Sequence, residues 1–235
     1  MKVGEKIALI YFSRNVTSEG RMKAWFSGKA AEQNKVLAST LIHQSSSALQ
    51  QAGFPVFHYH ENNQQGTTFG ERIANACQEV FALGYDAVIT VGNDCPEIGS
   101  TNWNVIRQQL SAGNCVVGPS LRRGAYLIGI TREAFNKEQF QQLPWQTNKL
   151  LDALLRFCTV SHRQTHVLNP LRDINTLVDV KALLKSSSLN RYVKRILLSL
   201  FFYRLTLATH QPASFLSSTL LSGSPFRAPP VLILS

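Results

Sequence analysis

Apolar and polar positions change over in short blocks along the first 184 residues, and the blocks read as strands and helices in turn. Residues 6–13 (KIALIYFS) form a nearly unbroken apolar run, which predicts a first buried strand. Residues 14–28 carry Arg14, Gly20, Arg21, Lys23 and Gly28, the pattern of a basic, glycine-containing loop. From residue 29 to about 51 apolar positions recur at helical spacing through Val36, Leu37, Leu41 and Leu49, with Gly53 as the stop. Residues 54–60 alternate as a second strand. Residues 69–83 are helical, with Ile73, Ala76, Cys77 and Val80 on one face and Gly84 behind them. The same reading predicts strands over 86–91, 115–117, 125–130 and 163–168, and helices over about 101–112, 147–158 and 177–184. Strands alternating with helices of this length imply right-handed βαβ units and a mostly parallel sheet with helices on both faces, an α/β/α layering.

The sharpest feature is residues 86–97, DAVITVGNDCPE. A β-branched run ends at Gly92, and Asp94 follows before Pro96 ends regular structure. A strand that carries a carboxylate to its C-terminal tip places it where open α/β sheets bind ligands, so Asp94 is the first candidate functional group. An Asx-turn or an N-cap for the helix starting near residue 100 is the structural alternative for the same residue.

Charge changes the picture only once it is located. The chain has a net charge of +10, but seven Lys or Arg and no acid follow Asp179, so the core carries only +3. A nucleic-acid-binding core is therefore disfavoured. The four cysteines, Cys77, Cys95, Cys115 and Cys158, form no CxxC pair, and the N-terminus shows no secretory leader. They read as free thiols in a reducing, cytoplasmic setting. Cys95 lies beside Asp94, but no His stands in an obvious pairing position and a small buried thiol is the simpler reading.

From residue 187 onward the composition shifts, which divides the chain into a domain over 1–186 and a basic, apolar tail over 187–235. Residues 196–208 (ILLSLFFYRLTLA) are very apolar, contain Arg204 and are too short to span a bilayer. With Arg191, Lys194 and Arg195 before them, they suit an interfacial helix at the inner, anionic membrane surface, or a helix packing onto the core or a second subunit in a homodimer. Residues 209–235, rich in Ser and Pro, give no pattern.

Several pieces of the core match one family in the right order. GNDCPE over 92–97 resembles the GSDCPDL motif of a bacterial family of GT-A-fold transferases that includes proteins assigned as arsenosugar-biosynthesis glycosyltransferases, and is more distantly similar to 2-phospholactate guanylyltransferase and molybdenum-cofactor nucleotidyltransferases. Gly20, Arg21, Met22 and Lys23 resemble its GRVK loop. FGERI over 69–73 resembles LGERM, and Gly118 and Pro119 with 126–130 resemble GPxxDGGYYLIGL. Asp173, Ile174, Asn175, Thr176 and Asp179 resemble DxDTxxDL, and Trp145 and Thr147 fall at its WST.

The resemblance covers about residues 6–184 and implies the nucleotide-diphospho-sugar transferase fold. It implies a divalent ion, Mg²⁺ or Mn²⁺, held by Asp94, Asp173 and Asn175, with Asn175 standing where many relatives have a carboxylate. A hard cation prefers such oxygen donors and neutralises charge building on a leaving phosphate, which makes Asp94 the catalytic centre of the expected site. It further implies phosphate contacts from Lys23 with Arg14 or Arg21 in support, a role for Arg72 toward substrate or toward Glu71, and a place for Trp145 and Thr147 near an acceptor or, for the indole, in the core.

Two departures stand out. Ala24 and Trp25 replace the usual Thr and Arg after GRMK, and Arg122 and Arg123 replace the Asp and Gly of DGGY. Either the two arginines now bind a diphosphate or an anionic acceptor, or the site has drifted. The functional readings are a metal-dependent glycosyltransferase using a nucleotide-sugar and a small-molecule acceptor, a nucleotidyltransferase acting on a phosphorylated small molecule, and a non-catalytic nucleotide-binding protein attached by its tail. The absence of a full GxGxR loop favours the first.

Overall fold

A computed structural model describes residues 6–28, 30–160, 164–186 and 189–209. Its centre is a six-stranded sheet in which β1 (Ile7–Phe12), β2 (Val56–Tyr59), β3 (Ala87–Val91), β4 (Cys115–Pro119), β5 (Ala125–Thr131) and β6 (Thr165–Val167) lie in the order β2-β1-β3-β5-β4-β6. All neighbours pair in parallel except β5, which is antiparallel to both β3 and β4. The reversal has a local cause. Only residues 120–124 separate β4 from β5, enough for a hairpin and too few for a crossover helix.

The central strands are apolar on both faces because both faces are covered. Even-numbered residues of β1 pack under α3 (Phe69–Ala82) with the later helices α5 (Lys137–Gln141) and α6 (Leu150–Val160). Odd-numbered residues pack with α4 (Trp103–Ser111) and Leu49 near the end of α2 (Ala31–Gln50). The outer face of α2 is then buried by Trp25, Phe26, α7 (Leu177–Leu183) and α8 (Arg191–Thr209). The inward stripe of α8 consists of Val193, Leu197 and Leu200, and the Leu200 carbonyl accepts a bond from Gln33 Nε2. The described part of the tail helix thus packs back onto the core, and it begins five residues before the expected apolar run. No helix among the described residues is long and apolar enough to cross a membrane. Residues 210–235 lie outside the described residues, as do 161–163 at the edge of the expected sixth strand.

The expected loop over 14–28 is corrected. Val16–Lys23 is a helix, α1, capped by Asn15, whose side chain accepts from Ser18 N at 2.9 Å. Gly20 sits inside it because α1 crosses α2 closely: a Cβ there would lie 3.1 Å from the Asn34 carbonyl oxygen. Packing against α2 overrides the weak helix propensity that a Gly and two Ser or Thr confer. Pro96 begins a short 3-10 turn, Pro96–Ser100, and α5 had no signature in the pattern.

Candidate functional site

β1 and β3 end, and β5 begins, at the same side of the sheet, and a cleft of about 780 Å³ opens there. Asp94 follows β3 and caps no helix; α4 is capped by Asn102, which accepts from Val105 N at 3.3 Å. Residues 168–174 reach the same place from the other side, running along the end of β4 through Leu171 N to Pro119 O, 3.1 Å, and Leu121 N to Leu171 O, 3.0 Å. They close on β3 by a bond from Ile174 N to the Asp94 carbonyl, 2.8 Å. Asp94, Asp173 and Asn175 therefore line one cleft.

Their side chains form a connected array. Lys23, in the last turn of α1, places Nζ 3.0 Å from Asp94 Oδ1 and donates to Asn175 Oδ1. Asn175 Nδ2 donates to Asp173 Oδ2 at 2.6 Å, and Arg122 Nη1 lies 3.6 Å from that oxygen. Asp173 Oδ1 is buried and has no hydrogen-bond partner. Beneath them Asp179 closes the N-terminus of α7 with Thr176 in a capping box. It accepts from Thr176 N at 2.7 Å, Asn175 N at 3.1 Å and Arg122 Nη2 at 2.9 Å. Burial alone would raise the Asp179 pKa, but the bonds from Thr176, Arg122 and the two backbone amides outweigh it and hold the carboxyl below its usual range.

Two of the four departing residues, Trp25 and Arg122, are built into this array. Trp25 is buried and its Nε1 donates to the Ile174 carbonyl at 3.2 Å, so it fastens the segment that carries Asp173 and Asn175. Ala24 ends α1 in the left-handed conformation, φ 41°. Arg122 lines the cleft and spans Asp173 and Asp179. Arg123, at φ 64°, turns away from the cleft and pairs with Asp152 of α6 at 2.5 Å. The shared diphosphate role expected for the two arginines is corrected for Arg123, because Asp152 and the Asn148 carbonyl hold its guanidinium outside the cleft lining.

Arg21 also falls outside. Two residues before Lys23 on a helix means about 200° around the axis, and Arg21 faces solvent. Arg14 and Arg72 line the cleft. Arg72 Nε bonds the Thr68 carbonyl at 3.3 Å, while Glu71 caps α3 through Thr67 and Thr68 and is not the partner of Arg72. Trp145 lines the cleft with one side and packs with the other: its ring lies 5.5 Å from Phe69 and 5.1 Å from Phe140, and Nε1 donates to the Phe140 carbonyl. Gly70 makes this possible, since a Cβ there would meet Gln141 O at 2.0 Å and Trp145 Cδ1 at 2.7 Å. Thr147 lines the cleft while donating to Pro144 O at 2.7 Å.

The sequence reading missed Glu19. It is buried one turn before Lys23, 3.6 Å from Arg14, and burial, with Asp94 adding to it, pushes its carboxyl above the usual range. Its signal was an acid flanked by basic residues at helical spacing from Lys23, which the loop assignment hid. Cys95 is also buried, and its thiol is pushed well up by burial and by Asp94, which suits a packed thiol and not a nucleophile.

The fold is that of nucleotide-diphospho-sugar transferases. The chain is similar to a protein assigned as a nucleotide-diphospho-sugar transferase from Desulfovibrio desulfuricans G20, with a TM-score of 0.69 at 16% identity, over 87% of this chain and 97% of that one. It is more loosely similar to 4-diphosphocytidyl-2C-methyl-D-erythritol synthase from Anaerococcus prevotii DSM 20548, with a TM-score of 0.46 at 10% identity over 78% of this chain and all of that one. No curated protein matches the chain. Residues 27–147 match the model of the family described as "Uncharacterized protein conserved in bacteria (DUF2064)", and with half of its length matched the chain belongs to that family.

Proposed function

We propose that the protein is a metal-dependent transferase that takes a nucleotide-sugar donor and passes the sugar to a small-molecule acceptor. The observation that supports this most is the meeting of Asp94 with Asp173 and Asn175 in one cleft, from parts of the chain 79 residues apart at the nearest. Two carboxylates and an amide oxygen are the donor set a hard cation prefers, and the partnerless, buried Asp173 Oδ1 is an acceptor that such a cation satisfies. Asp94, Asp173 and Asn175 would hold Mg²⁺ or Mn²⁺, whose contribution is to neutralise charge on a diphosphate.

The chain's own cations do the rest. Arg14 and Arg72 line the cleft where they can pair with phosphate oxygens, and Lys23 brings its ammonium into the cleft from the end of α1. Arg122 acts as a support: it holds Asp173 and Asp179 in place more than it offers donors to a ligand. Trp145 and Thr147 form the wall assigned to the acceptor, the indole offering an apolar face and fixed by its bond to Phe140. Glycosyl transfer is favoured over nucleotidyl transfer because β1 runs into a capped helix, α1, and not into a glycine-rich loop whose amides would cradle a triphosphate.

A thermal-shift series of nucleotides and nucleotide-sugars with and without Mn²⁺ tests the reading, since a ligand of the folded state raises its melting temperature by mass action. At least one nucleotide-sugar should stabilise the chain in an Mn²⁺-dependent way, and Asp94→Ala should abolish the shift. A shift that survives Asp94→Ala, or none with any donor, overturns the proposal. Release of a nucleoside diphosphate on turnover identifies glycosyl transfer, and release of pyrophosphate identifies the nucleotidyl alternative.

A further inference from the structure

The seat between Asp94 and Asn175 is filled by a cation that belongs to the chain. Lys23 Nζ touches both oxygens, its side chain is 13% exposed, and the Asp94 side chain is 47% exposed. Around it the charges are already matched. Arg14 faces Glu19 at 3.6 Å, Arg122 faces Asp173 at 3.6 Å and Asp179 at 2.9 Å, and Arg172 lies 4.0 Å from Asp179, so with Lys23 and Asp94 each carboxylate of the array has its own cation. A divalent ion entering this array would bring two positive charges to a place without net negative charge, and would meet the ammonium at the very oxygens it needs.

We propose that Lys23 is a resident counter-ion that shares the seat with the divalent ion, holding it while the cleft lacks ligand and yielding it when a phosphorylated ligand arrives. The ligand then does two things at once. Its phosphate oxygens give the ammonium a new partner, and its negative charge offsets the incoming cation. The four-carbon stem of Lys23 lets the ammonium swing into the cleft without moving α1, and both residue and cleft are in contact already. Asn175 fits this arrangement: an amide oxygen accepts from an ammonium without adding the charge that would draw a divalent ion in unaided. Metal and ligand therefore bind each other's complex far better than the empty chain, a reciprocal coupling through one side chain.

This inference rests on the transferase reading of the same cleft, and the experiment separates the two. Free Mn²⁺ is measured by electron spin resonance against the full chain, with Mn²⁺ alone and with Mn²⁺ plus inorganic pyrophosphate. Lys23→Met should bind Mn²⁺ alone at least about tenfold more tightly than the wild-type chain, the scale of removing one unit charge about 6 Å from a divalent ion under water-like screening. Pyrophosphate should raise the wild-type Mn²⁺ affinity about tenfold or more and that of Lys23→Met much less. Lys23→Arg, which keeps a cation, should stay close to wild type, and an unchanged melting curve shows that each variant is folded. If Mn²⁺ alone binds Lys23→Met no better than wild type, or if Lys23→Arg gains as much as Lys23→Met, the counter-ion role is overturned. That result leaves the transferase reading standing wherever a nucleotide-sugar still stabilises the wild-type chain with Mn²⁺; absence of that stabilisation removes the reading itself.

Discussion

Asp179 is the residue whose loss should cost the site most without touching a ligand. Asp179→Ala removes the acceptor of the Thr176 and Asn175 amides and of the Arg122 guanidinium, and leaves those donors around a small void. Loss of the capping carboxylate is worth about 1 kcal/mol, and each of the two part-buried amides left without a partner about 1 kcal/mol, the low end for such a group. The Arg122 pair adds little, since that side chain is 45% exposed and solvent screens it, so about 0.5 kcal/mol is a fair share. The sum is about 3–4 kcal/mol, which for a chain of this size lowers the melting temperature by about 10 °C. The sign with pH is fixed by the direction of the shift. A carboxyl held below its unfolded value contributes stability that is complete above about pH 4 and is lost as pH falls through the folded value. Wild type and Asp179→Ala should therefore differ most at pH 6–8 and converge in acid. Thermal melts across that range check the stability, and isothermal titration of the best nucleotide-sugar with Mn²⁺ checks the site, where a loss of at least about tenfold is expected as Asp173 and Asn175 loosen. A melting temperature within about 2 °C of wild type at pH 7, with unchanged ligand affinity, would refute the view that Asp179 fixes this segment.

Three further outcomes follow from the same geometry. Gly70→Ala should destabilise the fold by about 1–3 kcal/mol in urea denaturation and dim ligand-induced changes in Trp145 fluorescence, because the new methyl group meets Gln141 backbone and displaces the indole. Arg123→Ala should leave nucleotide-sugar affinity within about twofold by titration and change stability by under about 1 kcal/mol, since its exposed pair with Asp152 stands outside the cleft. For Glu19, whose folded pKa is raised, ionisation is a cost that appears as pH rises past its unfolded value; Glu19→Gln should raise the urea midpoint at pH 7, and the gain should vanish near pH 4.

The pattern of apolar positions located all six described strands: β1, β3, β4 and β5 because a strand buried on both faces is an apolar run whatever surrounds it, and the half-exposed β2 by its alternation. It also put Asp94 at a strand tip and left Asp173 with Asn175 just before a helix, since those placements depend only on neighbours in sequence. What it misjudged depended on partners far away. Whether 16–23 coils or winds into α1 was decided by the close approach to α2 at Gly20, and that choice turned Lys23 toward the cleft and Arg21 toward solvent. The tight turn at 120–124 sent Arg122 to Asp179, 57 residues on, and Arg123 to Asp152. The seat itself joins Lys23 to Asn175 across 152 residues. Local periodicity records which face of an element is apolar, but the partner of each charge is settled only when separate segments are packed together, and in this chain that packing makes the site.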